Sequence, residues 1–183
     1  MAGTGGPLPI ETERLRLRRL RESDLPAFQA YRADPEVGRW QGWQPQSDAQ
    51  ALAFLQAMSQ GALFAPGTWT QLGIADGLTG QLIGDVGIYI SDDAQEAEFG
   101  FSLARAAQGR GLASAAVREA MRWVFEQTPV QRIHAQTDSR NFACVRLLER
   151  LGATRLATIA TEFRGEPCVE FRYELASRQA PNA

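Results

Sequence analysis

The sequence predicts an α+β fold, a mixed, mostly antiparallel, twisted sheet of about seven strands flanked by about four helices. Three observations carry that expectation. Charged and apolar residues alternate through residues 14–20. Three strand-like runs between residues 68 and 103 are separated by turn chemistry. An uninterrupted helical stretch then joins the last of them to a further strand at residues 132–137. Hairpins feeding a β-α-β unit make a sheet mixed.

The elements follow in order. In the run 14–20 (RLRLRRL) every second residue to Leu17 is apolar, which fits a half-buried strand. Ser23 precedes a helix over residues 24–32, with Leu25, Phe28 and Tyr31 on one face and Pro26 in the first turn, where its missing N–H is harmless. Asp34-Pro35 ends that helix, and residues 38–45 read as a loop carrying Trp40 and Trp43. Ser47 or Asp48 caps a second helix to Gln60. Strands are expected at 68–75, 82–90 and 96–103, with Asp76-Gly77 and Ser91-Asp92-Asp93 as hairpin turns. A helix then runs from Gly111 or Leu112 to Glu126. It is followed by a strand at 132–137, a helix at 142–151 closed by Gly152, and strands at 154–161 and 169–175. Residues 10–176 form the expected domain, with a Gly/Pro-rich N-terminal tail at 1–9 and a C-terminal tail at 177–183.

Composition excludes several chemistries. All 19 basic residues are Arg, so no lysine is present to form a Schiff base or to ligate phosphate in a P-loop. The net charge of -2 argues against a general nucleic-acid or anionic-membrane binder. The two cysteines, Cys144 and Cys168, are too few for a disulfide framework and lack metal spacing; the one histidine, His134, supports neither a triad nor a zinc site. His134 alternates with Ile133 and Ala135 and reads as a surface strand residue. No metal, no secretory leader and no membrane span is expected, which makes the cytoplasm the default location.

Residues 104–111 form a Gly-rich turn between a strand and a helix start. The first helical amides have no intrahelical acceptor, and the helix dipole adds partial positive charge, so such a turn suits a phosphate. Gly109 and Gly111 allow close backbone approach, Ala113 and Ser114 keep the helix start narrow, and Arg105 and Arg110 offer charge-assisted contacts. An ordinary turn is the plainer alternative. The dinucleotide fingerprint fits less well, because it belongs to the first β-α turn of a parallel sheet with an acidic residue about 20 positions on.

Gln108-Gly109-Arg110-Gly111-Leu112-Ala113 resembles the acetyl-CoA signature of the GNAT superfamily of N-acetyltransferases, Gln/Arg-x-x-Gly-x-Gly/Ala. Residues 13–18 with Ser23-Asp24, residues 82–87, residues 97–101 and the segment from Asn141 to Gly152 resemble successive parts of its RimJ/RimL-type branch, so the likeness spans about Ile10 to Leu175. The resemblance implies a sheet splayed between the strands at 96–103 and 132–137. It implies the pantetheine arm of acetyl-CoA on the backbone of Phe101 to Leu103, and the pyrophosphate on Gln108, Gly109, Arg110, Gly111, Leu112, Ala113 and Ser114. Asn141 would touch the arm. The implied reaction is direct acetyl transfer to an amine in a ternary complex.

Such a reaction needs a base for the amine, a donor to the thioester oxygen and a proton for the leaving thiolate. Glu98 is the candidate base; the alternative is a structural ion pair with an Arg. Cys144 stands where the RimJ/RimL pattern has Ser. A thiol donates weakly, and a position near a helix N-terminus favours thiolate; the plainer reading is a small packing residue. Trp40 and Trp43, with Gln41 and Gln44, are candidates for the acceptor pocket, or else ordinary core residues. An α-amino acceptor, with a pKa of about 7.7–8.0, needs only a weak base. The acceptor class stays open between a protein N-terminus and a small-molecule amine. A homodimer is compatible with the sequence. The alternatives are a non-catalytic acyl-CoA-binding or regulatory domain of the same fold, and a nucleotide-binding redox enzyme.

Overall fold

The computed structural model describes residues 8–177; the expected tails lie largely outside the described residues. Eight strands form one sheet: β1 (Ile10–Glu11), β2 (Leu15–Arg19), β3 (Trp69–Asp76), β4 (Leu82–Ile90), β5 (Glu96–Leu103), β6 (Arg132–Asp138), β7 (Thr154–Phe163) and β8 (Glu166–Ser177). The five α-helices are α1 (Leu25–Arg32), α2 (Pro35–Gly38), α3 (Asp48–Gln60), α4 (Leu112–Gln127) and α5 (Phe142–Arg150). The strand order is β1-β2-β3-β4-β5-β6-β8-β7, and only β5 and β6 are parallel. Their connection runs through α4, as a parallel crossover requires.

Three differences from the sequence reading have local causes. β1 has two residues, too few for any periodicity to show. Asp34-Pro35 ends α1 and also starts α2: the Asp34 side chain accepts from the Glu36 amide at 3.0 Å, and Pro35 fills the first helical position. The last hairpin is longer than expected because Arg164 (φ 53°) and Gly165 (φ 81°) make a two-residue turn with both φ positive, the geometry of type I′. Arg-Gly is a weak signal for that turn beside Asn-Gly.

The sheet divides two cores. One face carries Leu15, Leu17, Leu72, Ile74, Val86, Ile88, Phe99 and Ile133, covered by Leu112, Ala116, Val117, Ala120 and Val124 of α4 and by Leu147 and Leu148 of α5. These α4 positions recur every three or four residues, so one stripe of the helix is apolar. On the other face Phe28, Tyr31, Ala51 and Leu55 from α1 and α3 close over Leu20 and Leu82.

A buried charge pins that second layer to the sheet. Asp85 of β4 is 1% exposed. It accepts from Arg32 Nη2 at 3.0 Å, from Gln71 Nε2 at 2.7 Å and, in a very short contact, from the Tyr31 hydroxyl. The Arg32 guanidinium lies 4.6 Å from the Phe28 ring centre and 4.4 Å from that of Trp43. Removing one partner of such a pair leaves the other charged and dry. Asp85→Ala should therefore lower the unfolding free energy by ~3–5 kcal/mol in urea melts; a loss within the ordinary surface range of about 0.5 kcal/mol would show that the cluster carries no such weight.

Candidate functional site

The site begins where the sheet divides. β4 and β5 stay paired from Ile90↔Ala97 to Gly84↔Leu103, whereas β5 and β6 pair only at Glu96↔Arg132, Ala97↔Ile133 and Glu98↔His134. β6 continues with β8 as far as Asp138↔Glu170. The sheet is thus two half-sheets hinged on three residue pairs.

The ladder determines which backbone groups the split leaves open. Ser91 N donates to Glu96 O and Ala104 N to Ile83 O. Antiparallel pairing alternates, so the even-numbered residues of β5 turn their N–H and C=O toward β4, and Phe99, Phe101 and Leu103 turn theirs toward the split. Two side-chain amides reach this edge: Gln41 Nε2 donates to Phe101 O at 3.1 Å and Gln108 Nε2 to Leu103 O at 2.9 Å.

A cavity of about 710 Å³ opens along the split. Its wall includes Phe101, Ser102 and Leu103, then Gln108, Gly109, Gly111, Leu112, Ala113 and Ser114, and across from them Asn141, Cys144, Arg146 and Arg150. Every cofactor residue expected from the sequence lines it except Arg110. At its head, Gly111 caps α4 in the left-handed conformation (φ 73°, ψ 9°), with no side-chain cap and no acidic residue in the first turn. A short 3-10 turn, Arg105–Ala107, leads in. With no acidic residue in the first turn, the helix start is open to an anion, which is the chemistry a pyrophosphate requires. Gly109, also at φ 73°, has open space where a Cβ would stand.

The arginines sort differently from the expectation. Arg105 is engaged bidentately by Asp34, at 2.6 and 3.1 Å, and the Arg105 guanidinium holds the Asp34 carboxyl below its usual range. Arg110 lies outside the cavity wall, and its carbonyl accepts from Arg14 Nη2 in a very short contact. Arg14 thus braces the Gly-rich turn from β2's lead-in, a role with no local signal because 96 residues separate the pair. Arg146 and Arg150, one helical turn apart on α5, line the cavity and were not singled out from sequence.

Asn141 caps α5: its side chain accepts from Cys144 N at 3.2 Å. The thiolate preference expected for Cys144 does not arise. Burial pushes its thiol up, with a hydrogen bond to Thr137 opposing, and Cys144 lies in the cavity wall.

Glu98 lies on the opposite sheet face from the α4 core and is half-buried. Burial raises its carboxyl above the ordinary value; Arg172, Gln136 and His134 oppose this, and Glu170 adds to it. No ion pair within 4 Å holds Glu98 among the described residues, so the Arg-partner alternative applies instead to its neighbour Glu96, which Arg132 grips at 2.6 Å. His134 corrects the surface expectation. It is 6% exposed, its Nε2 is 3.5 Å from Glu96 Oε2, and it pairs with Glu174 across the β6–β8 ladder. Alternation alone cannot show that both faces of a strand are covered.

Trp40 lines the cavity between the guanidinium groups of Arg39 (4.8 Å) and Arg140 (5.6 Å). Trp43 does not line it; it packs half-buried on Arg32, beside Gly38. The sheet face near Glu98 also presents Trp69, 47% exposed, with its ring centre 5.6 Å from that of Tyr89.

A split mixed sheet with a Gly-rich helix start at the head of the split defines an acetyltransferase class of fold. The chain belongs to the GNAT acetyltransferase family: the model of the acetyltransferase (GNAT) domain matches residues 14–154. It is 31% identical over 144 residues to the uncharacterized N-acetyltransferase p20 of Bacillus licheniformis, covering 78% of this chain and 80% of that protein. A GNAT-family acetyltransferase of Bacillus anthracis superposes with a TM-score of 0.80 at 18% identity, over 91% of this chain and 97% of that one. RimL, a ribosomal L7/L12 alpha-N-protein acetyltransferase solved with coenzyme A, superposes with a TM-score of 0.78 at 17% identity, over 92% and 97%.

The elevated Glu98 pKa has a consequence for stability. A carboxyl whose pKa rises on folding binds its proton more tightly when folded, so it destabilises the fold as pH rises above its ordinary value of 4.5. Glu98→Gln removes that penalty. The variant should melt higher than wild type at neutral pH, and the difference should shrink as pH falls toward 4.5. A pH-independent difference would mean that Glu98 is not desolvated.

Proposed function

We propose that this chain is an N-acetyltransferase of the RimJ/RimL-like kind, moving an acetyl group from acetyl-CoA to a primary amine by direct transfer in a ternary complex. One observation carries the reading. The open amides of the Gly109–Leu112 turn stand at the head of a strand edge that lacks a neighbouring strand. A ligand with a diphosphate at one end and an extended amide-bearing arm at the other fits both parts, and CoA is such a ligand.

In this reading the amides from Gln108 to Ser114 hold the diphosphate. The arm adds to β5 in the manner of a strand, on the groups of Phe101 and Leu103, and delivers the thioester to the split near Glu98. Asn141, through the half of its carboxamide that does not cap α5, bounds the arm from the other side. The acceptor enters on the face carrying Trp69, Tyr89 and Glu98, with Trp40 at the join of the two sites. Glu98 takes the ammonium proton through water, leaving the nitrogen lone pair free. That pair forms the N–C bond as the C–S bond breaks; the Cys144 thiol gives its proton to the departing sulfur, and the second proton, shed by the new amide nitrogen, returns through solvent to the Cys144 sulfur. The raised Glu98 pKa makes it a better base than an exposed carboxylate. Burial pushes the Cys144 thiol up, so it is a weak donor. An α-amino group, as at a protein N-terminus, matches a base of this modest strength better than a lysine side chain does; small-molecule amines of similar basicity remain within the same chemistry.

The test is thiol release from acetyl-CoA across a panel of amines, α-amino peptides included. Glu98→Gln should lower kcat by about 10²–10⁴-fold while leaving CoA affinity near wild type. Cys144→Ser should retain turnover and Cys144→Ala should lose most of it; equal turnover in Cys144→Ala would remove Cys144 from the chemistry. CoA binding without turnover on any amine would favour a non-catalytic acyl-CoA-binding domain.

A further inference from the structure

The segment between α2 and α3 is tied across the mouth of the split by contacts that the reaction does not use. Arg164, at the tip of the β7–β8 hairpin, donates through Nη2 to three carbonyls of this segment: Gly38 at 3.1 Å, Gln41 at 2.9 Å and Trp43 at 3.2 Å. Gln41 N also donates to Gly38 O at 3.1 Å. The backbone so held aims the Gln41 side chain into the cavity, where Nε2 donates to Phe101 O. A chain of hydrogen bonds therefore runs from the far hairpin, through the loop, to the open edge of β5.

The Phe101 carbonyl is an acceptor that an arm adding to β5 would need. A strand-like neighbour lies about 4.7–4.9 Å away in the hydrogen-bonding direction, and that lane is where the Gln41 carboxamide now sits. A buried strand-edge carbonyl without a partner is unfavourable, so an amide held there satisfies the edge.

We propose that Gln41 is a stand-in for the donor's amide, competing with the CoA arm for the Phe101 carbonyl, and that Arg164 sets the strength of that competition by holding the loop. The inference rests on the CoA reading above. Donor binding then displaces the Gln41 side chain, and the Trp40–Trp43 segment takes up its reactive position only with the arm in place. Arg164 is a positioning residue: it lines no part of the cavity and acts on the donor solely through the loop carbonyls.

Calorimetric titration of the intact protein with CoA reads the sign directly. Gln41→Met, which keeps the side chain's length and removes its donor, should tighten CoA binding by about two- to tenfold, the range that corresponds to one net hydrogen bond. Arg164→Ala should tighten it in the same direction, and the double variant should gain less than the product of the two. Adenosine 3′,5′-bisphosphate, which lacks the arm, should bind all four proteins alike. Thermal melts verify that each variant is folded, and Gln41→Ala serves if Gln41→Met is not. Weaker or unchanged CoA binding in the Gln41 variants, or a parallel change for the arm-less probe, overturns the inference alone. A wild-type protein that does not bind CoA overturns the donor reading, and this inference with it.

Discussion

The three-residue junction between β5 and β6 is the constraint on which the site depends. β5 follows β4 to Leu103 and β6 follows β8 to Asp138, so beyond Glu98 and His134 each strand keeps its own half-sheet. Backbone groups cannot be left dry without partners. The edge of β5 that faces the split must therefore be served by side chains, solvent or a ligand. Gln41 and Gln108 serve it, and the cavity follows the same edge. The crossover that makes the junction parallel also delivers the start of α4 to its head, so an open strand edge and a helix N-terminus are brought together by one topological fact.

Around that junction the two faces do different work. The α4 and α5 face is apolar and closes the main core, and burial there pushes the Cys144 thiol up. The other face carries Glu98, raised by burial and flanked by Arg172, Gln136, His134 and Glu170. The half of this face nearest Asp85 is locked beneath α1 and α3 by Arg32, Tyr31 and Gln71, which places Trp43 against the Arg32 guanidinium. The half near Glu98 stays polar, with Trp69 exposed beside Tyr89.

Local signals made most of this readable from sequence. Alternation marked β2, Ser47 or Asp48 marked the start of α3, and the Gly109/Gly111 pair marked the head of α4. The strand order of a meander followed by β-α-β gave the mixed sheet. What stayed hidden was contact between distant segments. Arg14 bracing the turn at Arg110, Arg164 holding the loop at Gly38, and Gln41 reaching Phe101 have no trace in periodicity. Arg105 looked free for phosphate until Asp34 was seen to hold it. His134 looked exposed because alternation cannot tell that β8 lies beside β6. Arg146 and Arg150 carry no signal of their own in the sequence, because only the packing of α5 brings them to the cavity wall.

The central claim is that one ligand spans the open edge of β5 and the head of α4. Amide hydrogen exchange of the protein with and without CoA tests it most directly, because both parts are backbone. The account predicts that saturating CoA slows exchange together at Phe101 and Leu103 of β5 and at the amides from Gly109 to Ser114. Protection confined to the turn, or protection appearing away from both segments, would contradict it.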